Sequence, residues 1–250
     1  MVETTYGIKK ATLRLLARDL LTVRHENAVF DVSHPAFGPN TYVNNLTEMQ
    51  NSYFHSQELP NISFREPTTS ESISVATYYP KTAKIEILDP GWLQLGRIVK
   101  TSEGVYANPP KGEKGDVLFD ESVLNTLRNK AKKVNGIYLG DNDFGFAPRE
   151  SFTQGNQKFG IFVEQGLARL LEHTRGNAKN MGKMSEFYPK GVNVFGFDGV
   201  DEPVVRFASL YSGRGLGGDW LGVDGLWYGN DVGCVFGVLV AGEASVPKKI

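Results

Sequence analysis

The chain of 250 residues has a single cysteine, Cys234, so no disulfide can form within it and no cysteine cluster can hold zinc. Its stability must come from packing. No run of about 18 apolar residues occurs anywhere, which leaves no membrane-spanning helix, and the start MVETTYGIKKATLRLLARDLL lacks an apolar core of signal-peptide length. The expectation is a protein made in the cytoplasm without membrane insertion. Charge of either sign is not in excess: 27 Lys and Arg face 28 Asp and Glu, a net charge of −1. A nucleic-acid partner, which needs a basic surface, is therefore not expected. No internal repeat is apparent.

Motifs of catalysis and metal binding are also scarce. The four histidines, His25, His34, His55 and His173, show no i, i+4 pairing with an intervening Glu, so no metal site is expected from them. Asp141-Asn142-Asp143 carries oxygens suited to calcium, but the Gly and distal Glu of a calcium loop are absent at their offsets, and an Asx turn is the simpler reading. GRGLGGDW imitates a phosphate loop, yet no amphipathic helix follows it to offer an N-terminus to an anion. There is no Ser-centred nucleophile elbow, and Cys234 has no basic neighbour in sequence to activate it. No cofactor and no catalysis are expected.

What is present is an ordinary globular composition, 40% hydrophobic and 11% aromatic, unevenly distributed. Ile8, Ala11, Leu15, Leu16, Leu20 and Val23 recur at helical spacing and predict a first helix. Residues 27–74 hold neither the helical nor the strand period and read as an irregular arm with scattered aromatics, Phe37, Tyr42, Tyr53, Phe54 and Phe64. SVATYY and AKIEILD alternate as strands around Pro80, and 92–106 reads as a strand pair. Asp120 is a good N-cap for a helix through Val123, Leu124, Leu127 and Ala131 ending near Val134. A short strand at Ile137–Leu139 and a second helix over 157–174 follow, with Gly176 at its C′ position. The last element predicted is a buried strand, 235–240.

Thirteen of the 28 glycines fall between Gly191 and Gly242, so the backbone there is expected to turn often. Within it, 204–242 mixes Phe207, Tyr211, Arg214, Leu216, Leu221, Asp224, Trp227, Tyr228 and Asn230 between Gly and Ser spacers. Tyr, Trp and Arg dominate binding hot spots, because they offer large contact area at modest entropic cost. Trp220 fits a core or a surface equally. For Trp227-Tyr228 exposure is expected, since neighbours on a strand cannot both point inward. On that reading, substituting Tyr211, Trp227 and Tyr228 together would leave thermal unfolding nearly unchanged.

Gly217-Gly218-Asp219-Trp220 and the closing run Asp231-Val232-Gly233-Cys234-Val235-Phe236-Gly237-Val238 resemble the C-terminal end of C-type-lectin-fold proteins. Most similar are the variable proteins of diversity-generating retroelements, among them phage tropism determinants. The resemblance covers about the last 45 residues and, more loosely, the order of elements from Asp120 onward. It implies an α+β, C-type-lectin-like fold with two helices, small antiparallel sheets and long loops, over 76–250, preceded by an N-terminal helix and arm over 1–75. It further implies a variable region at about 204–240 that binds a protein or cell-surface ligand, displayed on a virion. In that family substitutions fall at adenine-containing codons. The matching surface positions would be Phe207, Tyr211, Arg214, Leu216, Leu221, Asp224, Trp227, Tyr228, Asn230 and Cys234; Gly217, Gly218, Trp220 and Gly237 would be fixed scaffold. The chain lacks the paired cysteines and calcium ligands of animal lectins. It also lacks the Gly-Phe-Arg ending and catalytic cysteines of the related formylglycine-generating enzymes. A small-molecule or sugar binder of the same fold, and a virion assembly protein, are the alternative readings.

Overall fold

A computed structural model of the chain describes residues 19–25, 28–51, 62–89, 91–110, 120–141, 143–173, 176, 178–213, 219–228 and 230–241. Its first described element is a hairpin of β1 (Asp19–His25) and β2 (Ala28–His34), in register from Asp19 opposite His34 to His25 opposite Ala28. Leu20 and Val23, expected at the end of a helix, lie on β1; residues 8–18 of that helix lie outside the described residues. The described residues of the segment expected to be an irregular arm form β2, β3 (Phe37–Thr41), α1 (Tyr42–Asn51), β4 (Ile62–Arg65) and the start of a further helix. Its scattered aromatics explain why: Phe37 and Phe64 pack with Met49 and Val235 in a core of their own, rings 5.7 Å apart. Tyr53 and Phe54 fall outside the described residues.

The expected strand SVATYY lies in α2 (Thr69–Tyr78), and a boundary at residue 75 would cut this helix in two. Thr68 and Glu71 form a reciprocal capping box, which fixes its start. Every residue from Thr69 to Thr77 is buried and exposure is confined to the last, Tyr78, so α2 has no amphipathic period to read. Its small hydroxyls find partners inside: Ser72 Oγ donates to Leu95 O at 3.1 Å and Ser70 Oγ to Asp143 Oδ2 at 2.9 Å. The expected strand AKIEILD is also helical, a turn at Pro80–Ala83 running into a π-helical segment at Lys84–Leu88.

The expected pair at 92–106 is the hairpin of β5 (Trp92–Lys100) and β6 (Gly104–Ala107). Asp120 caps α3 (Glu121–Lys130), accepting from the Ser122 and Val123 amides; the helix stops at Ala131, and β7 (Lys132–Val134) turns back on β8 (Ile137–Leu139). After β9 (Gly145–Pro148) and β10 (Gly155–Gln157), the helix expected over 157–174 is broken. A single turn at Phe159–Phe162 is separated from α4 (Gly166–Glu172) by an extended Gln165. The Gln165 side chain holds the break, bonding the Thr153 amide at 3.0 Å, Thr153 Oγ1 at 3.0 Å and Gln157 Oε1 at 2.7 Å. His173, left-handed, ends α4 in place of Gly176.

The glycine-rich region is less loop-like than its composition suggests. After β11 (Gly191–Phe195) come β12 (Val204–Ser212), β13 (Trp220–Trp227), β14 (Val232–Val235) and β15 (Val238–Ala241). An eleven-stranded sheet runs β10-β11-β13-β12-β5-β6-β9-β8-β7, with β14 bridging β5 to β3. The expected final strand is really two strands, parted at Phe236-Gly237. The first ends in the large sheet; β15 enters a four-stranded sheet of order β1-β2-β15-β4. The class is α+β, but with four helices of seven residues or more among the described residues, not two. Nor is the pairing uniformly antiparallel, since β11 and β13 run parallel. The main core lies between one face of β5, β12 and β13 and the layer of α2, α4, β1 and β2. Among the described residues no helix is long and apolar enough to cross a membrane.

Candidate functional site

Side chains on paired strands share a face when they stand opposite one another. Phe207 faces Trp227, Ser209 faces Asp224 and Tyr211 faces Gly222 across β12 and β13, while Tyr211 also faces Trp92 on β5. These residues make an aromatic layer on the face away from the main core. Trp92 lies 4.0 Å from Tyr211 and 4.8 Å from Trp227, centroid to centroid, and Tyr42 of α1 lies 4.2 Å from Phe207. Two glycines make room for it. A Cβ on Gly222 would meet the Tyr211 ring at 2.1 Å, and one on Gly233 would meet the Trp227 ring at 2.8 Å, so both rings lie flat on neighbouring backbone. The layer is continued by Arg97, whose guanidinium carbon is 5.9 Å from the Tyr42 ring.

The expected site residues separate into three groups on this frame. Phe207 and Trp227 are buried in the cluster with Tyr42, Trp227 at 6% exposure, and they support the surface instead of forming it. Leu221 points to the opposite face, fully buried in the main core. Asp224 is buried too, its Oδ1 accepting the Leu226 amide at 2.7 Å; burial pushes its carboxyl above the usual range, with Asp231 adding to the shift. Cys234 is half-buried against the main core, and burial pushes its thiol up, the opposite of what a nucleophile needs. Tyr211 is half-buried in the aromatic layer; burial and the nearby Asp224 raise its hydroxyl pKa. Tyr228 and Asn230 are exposed. Arg214 and Leu216, with Gly217 and Gly218, lie outside the described residues. Of the two residues 227 and 228, one is inside and one outside, so the expected exposure of the pair holds only for Tyr228. The variant lacking Tyr211, Trp227 and Tyr228 would lose a buried indole, and the near-neutral stability expected of it does not follow.

The exposed rim contains residues that hot-spot composition did not mark. Tyr228 is 56% exposed, Val232 56% and Val43 60%. They lie close in the fold: the Tyr228 amide donates to Asp231 Oδ2 at 2.7 Å and Asp231 N to Tyr228 O at 3.1 Å, closing the turn that leads into β14. Val232 then pairs with Thr41, one residue before α1 begins. Arg206 stands 4.2 Å over the Tyr228 ring and donates to its own neighbour's carbonyl, Val205 O, at 2.8 Å. Val232 was in view in the sequence but is not a hot-spot type. Val43 is 185 residues from Tyr228 along the chain, and the β3–β14 pairing, with Asn45 Nδ2 of α1 donating to Gly233 O at 2.7 Å, brings their elements together.

The remaining candidates settle into structural roles. Asp143, left-handed, accepts from Ser70 and lies 3.7 Å from His173, so its side chain ties α2 to the end of α4. Among the described residues no group of three His, Cys, Asp or Glu is arranged to hold a metal. Lys100, buried, donates to Gly196 O at 2.7 Å, and desolvation lowers its pKa. Cavities of about 490, 350 and 410 Å³ lie around α3, around Asn108 and beside β8–β9; none of the three is lined by an expected site residue. No family model, no curated protein and no solved structure matches the chain.

Proposed function

We propose that the chain is a ligand-recognition protein on a C-type-lectin-like scaffold, of the kind diversified by retroelements, and that it binds a protein or cell-surface ligand without catalysis. The observation that carries this reading is the rim of Val43, Tyr228 and Val232, three large apolar side chains more than half exposed on elements that the β3–β14 pairing joins. Grouped exposure of this kind on a water-facing surface costs solubility and marks contact sites. Beneath it the layer of Trp92, Tyr211, Trp227, Phe207 and Tyr42 supplies a stiff floor, which lowers the ordering cost of binding. In this reading the display set is Tyr211, Tyr228, Asn230 and Val232, joined by Val43. Phe207, Leu221, Asp224, Trp227 and Cys234 belong to the frame.

Two measurements test it. Sequencing the locus in a population should find a near-copy of the segment coding for 204–240 beside a reverse transcriptase, with substitutions at Tyr228 and Asn230 and few at Leu221 and Trp227. Substitutions spread evenly over both sets would overturn the assignment. Flow cytometry of cells exposed to the labelled protein should show binding that falls at least about tenfold in a Val43→Ser, Tyr228→Ala, Val232→Ser variant of unchanged unfolding midpoint. Undiminished binding would place recognition elsewhere.

A further inference from the structure

The cavity of about 410 Å³ beside β8 and β9 is lined by a guanidinium, that of Arg149, which no carboxylate among the described residues neutralises. Arg149, in the 3₁₀ turn Arg149–Ser151, lies with its guanidinium carbon 5.1 Å from the Phe152 ring, and its Nη1 donates to Phe152 O at 3.4 Å. Among the described residues it pairs with no carboxylate. The second cation on the wall, Arg128 of α3, is neutralised by Glu103 and lies 4.9 Å from the Phe146 ring. Also on the wall are neutral polar groups that make no hydrogen bond among the described residues: the Ser102 hydroxyl, the Asn129 amide and the Tyr138 hydroxyl. Glu150 is also on the wall, but it is exposed, and water screens its charge more than that of the half-buried, stacked Arg149.

Each feature selects part of a ligand. A half-buried guanidinium fixed by stacking is a bidentate receptor for a carboxylate. Neutral hydroxyl and amide groups, with Glu150 as an acceptor, suit hydroxyls. At about 30 Å³ for each water, the volume accommodates roughly a dozen non-hydrogen atoms. We propose that this cavity binds a small polyhydroxylated carboxylate, with the carboxylate on Arg149 and the hydroxyls on Ser102, Asn129 and Glu150. The site is independent of the Val43–Tyr228–Val232 rim, and either can fail without the other.

Titration calorimetry of the full chain at low salt, with D-glucuronate, D-glucose and acetate as probes, tests the assignment. Glucuronate should bind at least about tenfold more tightly than either glucose, which lacks the charge, or acetate, which lacks the hydroxyls. Arg149→Gln should weaken glucuronate by a similar factor while leaving the circular dichroism spectrum unchanged. Should that variant not fold, Ser102→Ala, at an exposed side chain, should weaken glucuronate a few-fold and leave acetate alone. Glucuronate binding no better than acetate, or equal binding by folded Arg149→Gln or by Ser102→Ala, would overturn the proposal.

Discussion

Trp227 and Tyr228 are neighbours in sequence with opposite energetic roles. Trp227 is inside the aromatic layer, where truncation leaves a large cavity under Trp92 and Gly233. Trp227→Ala should cost about 3–5 kcal/mol in urea unfolding, and Tyr228→Ala no more than about 0.5 kcal/mol. Equal losses would contradict the in-and-out placement. Asp224 makes a second residue-scale prediction. Burial raises its carboxyl above 3.8, so the ionised form opposes folding, and the folded protein takes up a proton more readily than the unfolded chain. Its contribution to stability is therefore greatest at low pH and falls as pH rises through the folded pKa. Asp224→Asn, which keeps an oxygen for the Leu226 amide, should stabilise the protein near neutral pH and reduce the downward slope of its stability with rising pH. Glu172 is shifted the same way by burial, so part of the slope will persist in the variant. A slope identical to that of the unaltered protein would remove Asp224 from the account.

At the scale of elements, the capping box of α2 makes the simplest prediction: Thr68→Ala should cost about 1 kcal/mol, measured by thermal or urea unfolding. No loss would mean the box is redundant. α2 also shows what the sequence conceals. Its β-branched and aromatic residues read as a strand because burial on every side abolishes the helical period, though Thr68-Thr69-Ser70-Glu71 carries the start signal in plain view. Exposed α3 was legible from the same kind of cap at Asp120, because its outer face is polar. The helix expected over 157–174 had the right apolar spacing, but the bonds of Gln165 to Thr153 and Gln157 are tertiary and leave no local trace. Of the proposed recognition surface, Tyr228 and Asn230 could be found from composition. Leu221 and Asp224 could not be sorted from them, because the sequence had presented β13 as loop and a loop has no alternation to read.

For the whole molecule, the division at residue 75 makes a direct test. α2 packs on β5, α4 and β1, and β2 and β4 flank β15, so the described residues up to 75 and those after it share one core. A fragment of residues 76–250 should therefore fail to show cooperative unfolding, and a single sharp transition from it would restore two separable units. This long-range sharing is also why the architecture was less visible than its pieces: nothing near Val32 or Phe64 announces that Val238 and Leu239 will lie beside them.

The place of β15 bears on how the protein comes into being. The strand between β2 and β4 is supplied by residues 238–241, so during translation those earlier strands wait, with their facing edges unpaired, until more than 170 further residues have been made. Unpaired edges invite pairing with other chains. Closing such distant contacts is slow. The nascent chain thus passes through a long interval in which β2 and β4 need shielding, and a premature stop shortly before Val238 leaves both strands without their shared partner and prone to aggregate.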